Sequence, residues 1–315
     1  MTSSLLSQLE DQIRTQYVHF LVDKCVLNED KKISLVRLKL RTIPPGLVTC
    51  SFLAKLSLDC NLLSSESIVL LQSFKFLQYL TLNDNELTLF PEELCQLKFV
   101  KFLNIGDNPI ERLPAAIGKL KNLITLWCND MLLDHLPEEI TALRKLKTFG
   151  VRNNKLTHLP ESFGTMRRLK WLSLSNNRLH KLPSSFSGLG NLRHLNMEGN
   201  QFEKIPMEIT KLASLSFCSF ANNLIEELSP ELLNSCRFIG TLQLDGNPVG
   251  FTHIENTQPR GVIYNFDLLD TDITEDWVHS LPNSEMNSTE TSADETETEP
   301  RELHLTKLAR FGCAV

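Results

Sequence analysis

The sequence predicts an α/β solenoid: a curved stack of short coils with a parallel concave sheet, helical caps and a disordered acidic C-terminal tail. Two observations carry this. A leucine-rich segment ending in asparagine recurs as "LTLNDNEL", "LNIGDNPI", "VRNNKL", "LSLSNNRL", "LNMEGNQF", "FANNLI" and "LQLDGNPV". Its asparagines, Asn61, Asn85, Asn108, Asn154, Asn177, Asn200, Asn223 and Asn247, are spaced by 23 or 24 residues, with one double gap at Met131. A fixed period of this length marks a repeat array.

The units dictate the body, 33–250. Each reads L-x-x-L-x-L-x-x-N-x-L-x-x-L-P, and the alternating leucines make a short strand with one apolar face. The asparagine side chain serves the turn that leaves the strand. Leu113-Pro114, Leu136-Pro137, Leu159-Pro160 and Leu182-Pro183 then send the chain onto an extended return path. One coil cannot bury its own leucines, so neighbours stack. Nine units start at Leu53, Leu77, Val100, Leu123, Leu146, Leu169, Leu192, Leu215 and Ile239; a degenerate one, "LVRLKLRTIPPGL", precedes them.

The ends follow. Residues 1–32 form an N-terminal cap helix, with Leu5, Leu9, Ile13, Tyr17 and Phe20/Leu21 at helical spacing toward the array; a partner-binding or coiled-coil helix is the alternative. Residues 251–282, with "GVIYNFDLL" and "TEDWVHSLP", make the C-terminal cap. Residues 283–315 are the acidic tail, ending in Leu305, Leu308 and Phe311 at the spacing of a short helix that either docks on a partner or folds back. In it Thr291 and Ser292 precede Asp294 and Glu295 by three residues, as an acid-directed kinase requires; a purely solubilising tail is the alternative.

The units resemble the leucine-rich repeat family, in particular the 23-residue intracellular class of Ras-suppressor and Erbin/Scribble-type proteins, over roughly residues 50 to 250. The resemblance implies a non-enzymatic scaffold or regulator of a signalling complex whose protein partner is a small GTPase or a phosphatase. The alternative is a substrate receptor for a ubiquitin ligase, because "SLLSQLEDQI" loosely resembles an elongin-binding box. "KFVKF", Lys98 to Phe102, matches a phosphatase-1 docking pattern, but Val100 is already the first core position of its repeat.

Composition limits the function. The net charge of −6 is matched by Asn283 to Glu302 alone, leaving a nearly neutral body with no footprint for nucleic acid or an anionic membrane. No apolar run spans a bilayer, and the N-terminus lacks the pattern of a secretory signal. Eight scattered cysteines with no CxxC pair read as reduced thiols of a cytoplasmic or nuclear protein. The sequence contains no GxxxxGK[ST], HExxH or GxSxG and no metal-ligand spacing, so neither catalysis, metal nor cofactor is expected.

The candidate site is the outward face of the sheet. The third position of successive units reads Tyr79, Phe102, Thr125, Thr148, Trp171, His194 and Phe217, and the fifth adds Trp127. Period-two geometry displays these rings to solvent, where clustered aromatics mark a contact site. Cross-strand ring pairing is the structural alternative. Asp84, Asp107 and Asp130 occupy one position in three units, while Arg152 and Arg178 follow in the next two. An acidic half beside a basic middle selects a dipolar partner; a local Asp130–Arg152 bridge is the simpler reading.

Overall fold

The computed structural model describes residues 2–249; the expected C-terminal cap, the acidic tail, Thr291 and Ser292 lie outside the described residues. Ten three-residue strands form one parallel sheet in sequence order: β1 (Lys32–Ser34), β2 (Lys55–Ser57), β3 (Tyr79–Thr81), β4 (Phe102–Asn104), β5 (Thr125–Trp127), β6 (Thr148–Gly150), β7 (Trp171–Ser173), β8 (His194–Asn196), β9 (Phe217–Ser219) and β10 (Thr241–Gln243). Helix α1 (Thr2–Leu27) precedes them, and α2 (Pro230–Ser235) lies between β9 and β10.

Each strand is in register with the next, so equal positions of successive units stand side by side, as in Leu103↔Leu126 and Leu126↔Phe149. Behind the sheet the leucine columns are fully buried, joined by a file of core rings: Phe149–Phe163 at 6.4 Å and Phe163–Phe186 at 6.1 Å between centroids.

The asparagines bind unit to unit. Asn177 donates to Val151 O, Leu174 O and Ser175 O and accepts from Leu156 N, every bond between 3.0 and 3.2 Å. The other ladder asparagines repeat this pattern from inside the coil, where unpaired backbone groups would be costly. Met131 breaks the ladder without breaking the sheet: it is 4% exposed, and Ile110 N donates instead to Asn108 O at 2.8 Å.

Two expectations are corrected. The return path is not extended after the prolines: single 3-10 turns follow, such as Ala115–Lys119, Glu138–Ala142 and Ser184–Gly188. Proline sets φ near that of a helical turn, and its carbonyl then accepts from the apolar residue three later, as in Ile117 N→Pro114 O and Phe186 N→Pro183 O. The cap helix also lies differently from the expected stripe. Val18, Val22 and Cys25 face the array and Leu21, as expected, packs partly against it, while Leu9, Ile13, Tyr17 and Phe20 point away from it. Leu5's side chain lies outside the described ones.

Candidate functional site

In-register parallel strands bring the third-position residues into one row on the outward face. Tyr79 and Phe102 stack at 4.2 Å with 13° between planes, and Lys55 Nζ lies 6.0 Å from the Tyr79 centroid. Thr125 and Thr148 interrupt the row. It resumes with Trp171–His194 at 5.3 Å and His194–Phe217 at 4.4 Å, both nearly parallel.

Trp127 joins the two parts. It stands opposite Gly150 on the neighbouring strand, and its ring crosses that glycine to meet Trp171 edge-on, with centroids 5.0 Å apart. A Cβ on Gly150 would sit 2.3 Å from Trp127 Cε3, so only glycine admits this crossing. Gly150 belongs to the site although the aromatic pattern did not point to it. Reading the fifth position down the units exposes it, as the one glycine between Trp127 and Ser173.

The exposure expected for Trp171 is corrected by the same contact. Trp171 is 6% exposed, covered by Trp127 and His194, and its indole N–H is buried with no hydrogen-bond partner. Tyr79, Phe102, Trp127, His194 and Phe217 remain partly exposed, so the row is a ridge of stacked rings with Trp171 at its centre.

The acids have a backbone reason for their position. Asp84, Asp107 and Asp130 have φ of 55°, 52° and 54°, and Asn153, Asn176, Gly199 and Asn222 take the same left-handed turn in later units. Aspartate, asparagine and glycine are the residues that tolerate it. Partial desolvation and then the carboxylates of Asp130 and Asp84 raise the Asp107 pKa, with Arg152 opposing. Burial likewise raises Asp59, although Thr81 Oγ1 and Asn83 N donate to its carboxylate at 2.6 and 3.1 Å.

Arg152 Nε lies 3.6 Å from Asp130, and Asn153 donates to the same carboxylate at 2.6 Å. Arg178 is exposed beyond the Asn177 turn, off strand β7. Charge therefore separates across the strands as well as along the array. Lys101, Lys147, Lys170 and Arg193 precede β4, β6, β7 and β8, while the aspartates follow β3, β4 and β5, at the opposite ends of the strands. Partial desolvation and then Lys170 and Arg168 lower the Lys147 pKa. The stretch Lys98–Phe102 is no free peptide, since Val100 is 1% exposed. Among the described residues no group of three His, Cys, Asp or Glu side chains is placed to hold a metal.

Leucine rich repeat family models match residues 119–179, 144–202 and 76–97. With the single parallel sheet, these matches support a leucine-rich repeat fold for the array. No curated protein matches it. Among solved structures it is similar to a TDR receptor (26% identity, 66% of this chain and 37% of that one, TM-score 0.60). It is also similar to the plant peptide hormone receptor RGFR1 in complex with RGF2 (27% identity, 65% and 34% of the chains, TM-score 0.57). An internalin (inlF) from Listeria monocytogenes str. 4b F2365 shares the fold at 19% identity, 71% and 76% coverage and TM-score 0.55.

Proposed function

We propose that this chain is a non-enzymatic scaffold that holds a segment of another protein on the outward face of its sheet, between Tyr79 and Phe217. One observation carries the reading: a ridge of stacked rings from several strands stands partly exposed around the unpartnered indole N–H of Trp171. Burying an N–H without a partner costs about 1–3 kcal/mol. A bound segment that shifts the Trp127 ring and supplies an oxygen acceptor recovers part of that cost. The acidic rim after the strands and the basic rim before them select a segment with opposite charges on its two flanks. A similar fold holds RGF2 in the RGFR1 complex.

The partner class suggested by the intracellular repeat resemblance is a small GTPase or a phosphatase in a signalling complex. Burial pushes the Cys25 and Cys95 thiols up to about 12, leaving them protonated and poorly reactive. Among the described residues no helix is long and apolar enough to cross a membrane.

The test is partner capture by Phe102→Ser and by Trp127→Ala, each partly exposed, beside wild type. Loss of the same partners from both variants, with unfolding still cooperative, supports the face. An unchanged partner set refutes it. Trp171→Ala is a poor probe, because removing a buried aromatic costs about 3–5 kcal/mol of stability.

A further inference from the structure

Helix α1 carries two apolar faces and the array uses one of them. Val18, Val22 and Cys25 are 4%, 4% and 2% exposed, against Leu6 61%, Leu9 53%, Ile13 59%, Tyr17 51% and Phe20 59%. At about 100° per residue, Val18 and Phe20 point to opposite sides of the helix. Among the described elements α1 packs only against β1 and the Pro45–Thr49 turn, so the helix before Val18 runs free of the repeats. A free stretch of this length is marginal as a helix unless an apolar face is covered. Its only side-chain ion pair among the described ones is Asp11–Arg14 at 2.6 Å.

The spacing of the unused face says what covers it. Leu6, Leu9, Ile13 and Phe20 fall on alternating three- and four-residue steps, the a and d positions of a heptad, with Gln16 at the remaining d. We propose that this stripe pairs with the same stripe of a second copy of the chain, joining two arrays through their N-terminal helices. Such a seam is self-complementary, and a β-branched residue at a, here Ile13, favours two strands. Gln16 fixes the register, as a polar seam residue does. In parallel pairing Gln12 of one helix meets Tyr17 of the other, so no like charges oppose there. The arrays lie on the outer sides, away from the seam, and do not obstruct it. Ten half-exposed apolar side chains from two helices cover on the order of 1,000 Å², the lower bound of a specific interface.

The measurement is the mass of the full chain by sedimentation equilibrium across a wide concentration range. Wild type is expected at twice the chain mass at micromolar concentration. Leu9→Glu with Ile13→Glu is expected at the chain mass, with association weakened at least about 100-fold and the repeats still unfolding cooperatively, because both positions face away from the array. Gln16→Cys is expected to cross-link into a dimer under mild oxidation. A wild type that stays at the chain mass overturns the proposal, whether the stripe is then covered by residues 303–311 or by an elongin-containing ligase. So does a glutamate variant that dimerises as wild type does.

Discussion

Gly150→Ala tests the central contact of the ridge without touching an aromatic residue. The new methyl would lie 2.3 Å from Trp127 Cε3, 2.5 Å from Cζ3 and 2.9 Å from Asn129 Oδ1. The two carbons belong to a rigid indole, so the Trp127 ring must leave Gly150 and with it Trp171. Overpacking costs about 1–3 kcal/mol, and the lost edge-on contact adds about 0.5–1.5 kcal/mol. Against this, alanine restricts the unfolded chain, a gain of about 0.4–1 kcal/mol where φ is ordinary. The net is a loss of about 0.5–4 kcal/mol, or several degrees in Tm for a domain of this size. The direct readout is circular dichroism, because two indoles 5.0 Å apart at 63° couple their transitions. The coupling is expected to collapse in Gly150→Ala as it does in Trp127→Ala. A variant that keeps both the couplet and wild-type stability would refute the crossing of Trp127 over Gly150.

Three further outcomes are expected from the ladder and the acidic rim. Asn177→Ala strands the amide of Leu156, itself 0% exposed, while the carbonyls of Val151, Leu174 and Ser175 keep donors in Asn154, Asn200 and Asn153 N; urea unfolding is expected to show a loss of about 1–3 kcal/mol. Met131→Asn, by contrast, is expected within about 1 kcal/mol of wild type, since the turn there is shaped for an asparagine; Met197→Asn, with no such partners, is expected to cost more than about 3 kcal/mol by the same assay. For Asp107, whose folded pKa is raised, the stabilising contribution is full below its unfolded pKa and is lost as pH rises through the folded one. Asp107→Asn, which keeps the left-handed turn, is therefore expected to gain a few tenths of a kcal/mol at neutral pH. The gain is expected to vanish as the carboxylate range is crossed downward, which thermal unfolding at several pH values would show.

Most of the fold was legible because its cause is local and repeated. The 23-residue spacing of Asn154, Asn177, Asn200 and Asn223 requires equal coils, and equal coils in register require one parallel sheet. The prolines were legible as punctuation but not as the start of 3-10 turns, since the carbonyl bond that closes each turn leaves no mark on residue type. The aspartate column looked electrostatic because its backbone reason, a left-handed φ shared with asparagines and glycines, appears only when the units are folded.

By itself the sequence determined which residues share a face: period two places Trp171 outward, and period 3.6 places Leu9, Ile13 and Phe20 together on α1. Only the tertiary structure decided what covers each face. Trp171 is buried because a ring two strands away passes over a residue with no side chain. The α1 stripe is bare because the array is sealed by the opposite set of Val18, Val22 and Cys25. Periodicity records the direction of a side chain, but cover is a relation between residues distant in the chain, and folding alone brings them together.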